Sequence, residues 1–161
     1  MASPAKPPPP AKTARGKPSP FVRQFSVFLE NKCGRLLDLT RLFEKTQIHV
    51  LGLSVVDTTD SAVVRLVMDD PDKAAELFRA NHIPFSDTEV IVVELPHGPE
   101  GLVSLLTALL QTEMNIYYVY SFLVRAHDRP LLAFHVEDNE LAEDSLSRLG
   151  FNTLRQADIS R

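Results

Sequence analysis

"CGRLLDLTRLFEKTQIHVLGLSVV" (residues 33–56) lies over "PEGLVSLLTALLQTEMNIYYVYSF" (residues 99–122) without a gap, at a constant offset of 66. Leu36, Leu39, Phe43 and Ile48 fall on Leu102, Leu105, Leu109 and Met114. After a connection three residues longer in the second copy, "VVRLVMDDPDKAAELFRANHI" faces "LAFHVEDNELAEDSLSRLGF", with Val67 over Val136 and Asp69 over Asp138. Each copy carries its own complete set of apolar faces, so the duplication points to two similar small domains in tandem.

Within each copy the hydrophobic period changes in a fixed order. Residues 21–29 read as a strand, and Leu36, Leu39, Leu42 and Phe43 recur at helical spacing. Residues 48–56 and 62–68 are β-branched and apolar, and 72–81 is a short amphipathic helix around Ala74, Leu77 and Phe78. The second copy gives strand 90–95, helix 100–113, strands 115–124 and 131–137, helix 139–149 and a last strand near 151–157. The expected fold class is α+β: two tandem ferredoxin-like βαββαβ units, each an antiparallel four-stranded sheet with both helices on one face. The last strand of the first copy must lie between Phe85 and about Glu89. No linker separates it from "VIVVEL", so the domains are expected over 21–89 and 90–161 and held rigidly together.

Residues 1–20 differ in kind. They hold seven of the twelve prolines and four of the 17 basic groups, Lys6, Lys12, Arg15 and Lys17, with no acid. The other 141 residues therefore carry 13 basic against 21 acidic groups, a charge of −8. The tail, with no aliphatic residue larger than alanine apart from Met1, cannot bury enough surface to offset its ordering entropy, and a disordered Pro/Lys-rich tail is expected. Its "PPPP" reads either as a solubilising leader or as a ligand for an aromatic groove. An acidic body repels nucleic acid. No apolar run reaches the 18 or more residues of a membrane span, and the N-terminus lacks the apolar core of a secretory signal, so a cytoplasmic protein with no membrane partner is expected. One cysteine excludes an internal disulfide framework and any two-cysteine metal clip.

The fold hosts many functions, and the sites must decide among them. A metal-carrying loop needs two cysteines, and Cys33 stands alone. An acylphosphatase loop needs an arginine and an asparagine; the first loop has Asn31 and Arg35, but its counterpart "PHGPEG" has neither. An RNA-binding sheet needs basic residues beside exposed aromatics, whereas Tyr117, Tyr118 and Tyr120 sit on an acidic body. No nucleophile with a base, phosphate-binding glycine loop or acid-base carboxylate pair emerges, so no enzyme is expected. The acidic pairs Asp69–Asp70 and Glu137–Asp138 read as helix caps. The five histidines show no metal-ligand spacing, and His97 alone lies in a candidate ligand loop.

"FSVFLENKCGRLLDLTRLFEKTQIHVLGLSV" (25–55) resembles the opening half of an ACT domain: a strand, a loop of the form Asn-x-x-Gly-x-Leu, an amphipathic helix and an aliphatic strand. "VIVVELPHGPEGLVSLLTALLQTEMNIYYVYSF" (90–122) resembles the same half again, with Glu100 standing where Gly34 does. The chain from 21 to 161 is similar to small bacterial proteins made of two ACT domains. The resemblance implies a non-enzymatic regulatory protein that binds a free amino acid at its strand-to-helix loops and domain interfaces, without a cofactor or metal. The same resemblance implies an allosteric sensor or regulatory partner in amino-acid metabolism, with a metabolic enzyme among the expected partners.

The residues fit that implication. Gly34 before a helix lets backbone N–H groups approach a ligand, and the helix's positive end favours an anion such as an α-carboxylate. Asn31 can cap the turn or accept from an ammonium group. The plain alternative is a tight turn with no ligand, and at the second loop Pro99 removes a donor while Glu100 adds a negative charge. Cys33, at a helix start beside Lys32 and Arg35, reads either as a responsive thiol or as a small residue tolerated in a turn. In "NIYYVYSF", strand alternation puts Tyr118 and Tyr120 on one face and Tyr117 on the other, leaving packing, a subunit interface or ligand contact open. The candidate ligand set is Asn31, Cys33, Gly34, Arg35 and Leu36 in the first loop, with His97, Gly98, Pro99, Gly101 and Leu102 in the second, beside Tyr117 and Tyr118. The edge strands 48–56 and 115–124 are expected to pair, the two copies to pack together and the chain to form a homodimer. The rival reading is an adaptor that uses sheet-edge pairing to oligomerise without a ligand.

Overall fold

Alternation over "VRQFSVFLE" makes the first strand, β1 (Val22–Glu30), which sends Phe25 and Val27 to one face and Val22 and Gln24 to the other. A computed structural model describes the chain over residues 19–160; the expected disordered tail falls almost wholly outside those residues. After β1 come α1 (Arg35–Thr46), β2 (Val50–Asp57), β3 (Ser61–Met68), α2 (Pro71–Ala80) and β4 (Phe85–Glu94). A 3₁₀ turn over 98–100 then leads into α3 (Gly101–Leu110), β5 (Ile116–Ala126), β6 (Arg129–Val136), α4 (Asn139–Arg148), β7 (Thr153–Leu154) and α5 (Gln156–Ile159).

Local chemistry starts and stops these helices. Asp70 accepts a hydrogen bond from the Lys73 N–H at 3.1 Å with Pro71 at the first helical position, and Asp138 accepts from the Leu141 N–H at 3.0 Å. Such caps contribute about 1 kcal/mol each. Asp69 and Glu137 do not cap; Asp69 accepts from the His49 N–H at 2.8 Å and pairs with its ring at 2.7 Å. Helix α1 ends where Gln47 turns left-handed at φ 56°.

Each copy has the strand order of a βαββαβ unit, β2-β3-β1-β4 in the first and β5-β6-β4-β7 in the second. The two sheets, however, are one. β4 pairs antiparallel with β1 through Phe85–Val90 and then with β6 through Ile91–Glu94, while β2 meets β5 at Gly52 and Phe122. The six strands β1-β3-β2-β5-β6-β4 thus close into a barrel-like ring, with β7 appended to β4. The boundary expected between residues 89 and 90 lies inside a continuous strand, and two separate four-stranded sheets are replaced by a shared one.

Three apolar layers follow. Phe25, Phe43, Leu66 and Phe78 fill the space under α1 and α2, with Phe25–Phe78 and Phe43–Phe78 ring contacts at 5.4 and 5.7 Å. Ile91, Val93, Leu105, Phe134 and Leu146 do the same under α3 and α4. Inside the ring Val22, Val67, Val90, Val92, Leu131 and Ala133 join both units. Val90 and Val92 face the ring while Ile91 and Val93 face the helices, which is why "VIVV" is continuously apolar rather than alternating. The last strand, expected near 151–157, is only two residues long, because Asp158 accepts from the Arg155 N–H at 2.7 Å and turns the chain into α5.

Candidate functional site

At the end of β1 the chain turns through Asn31, Lys32 and Cys33 to Gly34, which adopts φ 87° and opens α1 without any side-chain cap. Nothing lies within 4 Å of where a Gly34 Cβ would stand, so the glycine serves conformation and open approach rather than packing. Asn31 is committed elsewhere: its amide donates to Asp57 Oδ1 at 2.7 Å and to the Thr58 carbonyl at 3.4 Å, tying the loop to the β2–β3 hairpin. The expected cap is therefore absent; the Arg35 N–H donates to the Lys32 carbonyl at 3.3 Å, and the dipole end of α1 receives no side-chain cap. Lys32 and Arg35 bring positive charge to the loop, balanced by Glu30 and Asp38. Lys32 pairs with Glu30 at 2.8 Å, and hydrogen bonding from Lys32, then the charges of Lys32 and Arg35, hold the Glu30 carboxyl below its usual range. Cys33 is exposed with a free thiol, and Leu36 is partly exposed on the first turn.

Beneath this start lies a groove of about 240 Å³ between α1, the end of β1 and the α2–β4 connection. Leu29, Leu39, Leu42 and Ile83 form its apolar wall, and Arg35, Asp38 and Asn81 supply the polar rim. A cation and an anion one helical turn apart over an aliphatic floor match the carboxylate, ammonium and side chain of a small amino acid. A roomier cleft of about 440 Å³ surrounds Arg23. There the guanidinium is spent on Asp72 and Asp87 at 3.1 and 2.6 Å, and Glu89 adds further negative charge.

The second loop is built differently. His97 and Gly98 both turn left-handed, at φ 63° and 62°, and Pro99 and Glu100 form the 3₁₀ turn. Gly101 is buried; a Cβ there would stand 2.1 Å from the Pro96 carbonyl oxygen, so this glycine is required by backbone packing and offers no ligand approach. Leu102 points from α3 to the surface. The two loops occupy opposite ends of β4, whose ten residues span about 30 Å at the usual rise. They form no joint site.

The tyrosines do not stand beside the second loop as expected. From the antiparallel Gly52–Phe122 match, Tyr117 and Tyr118 run toward Asp57, the end that holds the first loop. Tyr117 is 58% exposed, while Tyr118 and Tyr120 turn into the ring. There the fully buried Gln24 donates to the Tyr118 hydroxyl at 2.7 Å and accepts from the Tyr120 hydroxyl at 2.8 Å. Arg65 lies 3.8 Å over the Tyr118 ring, and His135 stacks against Tyr117 and Tyr118 at 5.1 and 4.9 Å. Burial pushes the Tyr120 hydroxyl well above its ordinary range, reinforced by Tyr118 and opposed by Arg65. This network cross-links β1 of the first unit to β5 of the second. In a separate cluster at the end of β4 the buried Glu94 meets His127 at 2.5 Å and Arg129 at 3.5 Å. Among the described residues no cluster of three or more histidine, cysteine, aspartate or glutamate side chains could hold a metal ion, and no helix is long and apolar enough to cross a membrane.

The family model for an ACT domain pair matches residues 21–160. The chain belongs to that family. Among solved structures the ACT domain pair is similar to protein BT0572 from Bacteroides thetaiotaomicron, with a TM-score of 0.79 and 26% identity over 88% of this chain and 97% of that one. It is also similar in fold to the ligand-free regulatory subunit of aspartate kinase from Thermus thermophilus, with a TM-score of 0.56 and 16% identity over 80% of this chain and 90% of that one. The corresponding subunit from Thermus flavus gives 0.53 and 14% over 81% and 93%. No curated protein matches. The ACT domain pair is thus an α+β fold that this chain shares with the regulatory subunits of those two aspartate kinases.

Proposed function

We propose that this ACT domain pair is a non-enzymatic, cytoplasmic regulatory protein that binds a free amino acid and passes the binding state to a metabolic enzyme. The observation that carries the reading is the start of α1: an uncapped, left-handed Gly34 beside Arg35, above an aliphatic groove rimmed by Arg35 and Asp38. Arg35 and the α1 dipole would take the α-carboxylate, Asp38 the ammonium group, and Leu29, Leu39, Leu42 and Ile83 an aliphatic side chain. Likeness to aspartate kinase regulatory subunits supports the same class of task through the fold alone. The second loop is a weaker candidate, since Gly101 is closed by Pro96 and Glu100 repels a carboxylate.

An adaptor working through free sheet edges finds no support here, because the edges it would use, β2 and β5, meet each other within the chain. Thermal melting with each of the twenty amino acids at millimolar concentration tests the reading. A ligand at 100 times its dissociation constant adds about 2.7 kcal/mol of stability, and a selective shift is expected for aliphatic amino acids. No selective shift for any of the twenty contradicts it.

A further inference from the structure

The duplication provides an internal control for helix surfaces. At equivalent positions α1 carries Arg35, Asp38, Arg41, Glu44 and Lys45, whereas α3 carries Gly101, Ser104, Thr107 and Leu110, followed by Gln111 at its end. Five charges in one helix correspond to none in the other. Helix α3 nonetheless presents a full face outward: Leu102, Leu106 and Leu110 form a row at four-residue spacing, and Val103 and Leu110 are 75% and 74% exposed. A helix apolar on nearly every side belongs in an interior or an interface.

We propose that this face is where a second copy of the chain docks, through a two-fold contact of α3 against α3. Three observations select a second copy. Beside the leucine row, between α3 and α4, runs a groove of about 380 Å³ lined by Val103, Ser104, Thr107, Leu149 and Phe151. A ridge and a groove side by side on one surface are what an isologous contact needs, since each copy must supply both halves. Ser104 on α3 and Gln111 just past its end each donate and accept, so they can meet their own counterparts without conflict, while Thr107 donates to the Val103 carbonyl at 2.7 Å and keeps its acceptor free. The face is also free of charge on a body of net −8, so it is where two copies can meet without like charges opposed. The sheet edges β2 and β5 are already joined, which moves self-association from the edges, where the sequence alone put it, to the helix layer.

The test uses the full chain in sedimentation equilibrium from micromolar to about 200 µM, with circular dichroism to verify folding. Wild type is expected to reach twice the 18.0 kDa chain mass at the upper concentrations. Val103→Lys and Leu110→Lys, at solvent-facing positions that leave the core intact, are expected to stay monomeric there. Leu37→Lys, the α1 position equivalent to Val103, is expected to dimerise like wild type. A wild-type chain that remains at 18.0 kDa throughout, or a dimer that survives both α3 substitutions, overturns the proposal.

Discussion

Gly52 lies opposite Phe122 where β2 of the first unit meets β5 of the second, and a Cβ on Gly52 would stand 3.0 Å from two atoms of that ring and 3.3 Å from Tyr120. The seam closes because position 52 has no side chain. Gly52→Val is expected to force the two strands apart and to cost about 1–3 kcal/mol, the usual penalty of overpacking. Urea denaturation measures it; a midpoint equal to wild type would mean that the seam is not tightly packed.

Gln24 offers a second probe of the same junction. Its amide is fully buried, meets two hydroxyls that lie 94 and 96 residues away in sequence, and donates more weakly to Ser26 Oγ at 3.4 Å. Tyr120→Phe leaves the amide oxygen without its partner, at a cost of about 1–3 kcal/mol, whereas Tyr118→Phe leaves the amide nitrogen the longer contact to Ser26 Oγ at 3.4 Å and is expected to cost less. The two substitutions share a partner, so their effects are expected to be non-additive in a double-mutant cycle measured by chemical denaturation.

Tyr120 also sets a pH dependence. Its hydroxyl is raised in the folded state above the ordinary value of 10.0, first by burial. The folded chain therefore holds this proton where the unfolded chain releases it, and stability is full below about pH 10 and falls as pH rises beyond it. Melting temperatures between pH 8 and 11 are expected to drop more steeply for wild type than for Tyr120→Phe. Equal slopes would contradict the assignment.

The glycines of the two loops separate packing from conformation. Gly101→Ala brings a Cβ against the Pro96 carbonyl, whereas Gly98→Ala meets open space and only the left-handed φ of 62°. The second change is expected to cost about 1–2 kcal/mol, and the first more. Gly34, at φ 87°, behaves like Gly98: Gly34→Val carries a conformational cost besides any effect on ligand approach, so its binding and stability have to be measured together.

The element order was legible because the periods of 2 and 3.6 are written twice, and the repeat fixes which apolar residues correspond. The ring was not. β4 reads as two strands to any argument that treats the copies as separate, because nothing local marks Val90 as the residue where pairing passes from β1 to β6. Gln24 was invisible for a related reason: a glutamine in an alternating strand looks like a solvent-facing residue until Tyr118 and Tyr120 close over it. The first loop was legible as a loop, yet Arg35 and Asp38 gained their meaning only when Leu29 and Ile83, from β1 and the β4 approach, supplied the groove between them. The tyrosines were misplaced because the direction in which β5 runs past β2 is a tertiary fact.

The measurement that bears most directly on the central claim is calorimetric titration of the wild-type chain and of Arg35→Gln with the amino acid that gives the strongest selective shift in the melting screen. Arg35 is exposed, so its replacement leaves the fold standing while removing the proposed carboxylate partner. Saturable binding of one amino acid per chain to wild type, with affinity at least about tenfold weaker in Arg35→Gln, corresponding to about 1.4 kcal/mol, is the predicted result. Equal affinity in the two proteins would place the ligand away from α1 and contradict the account.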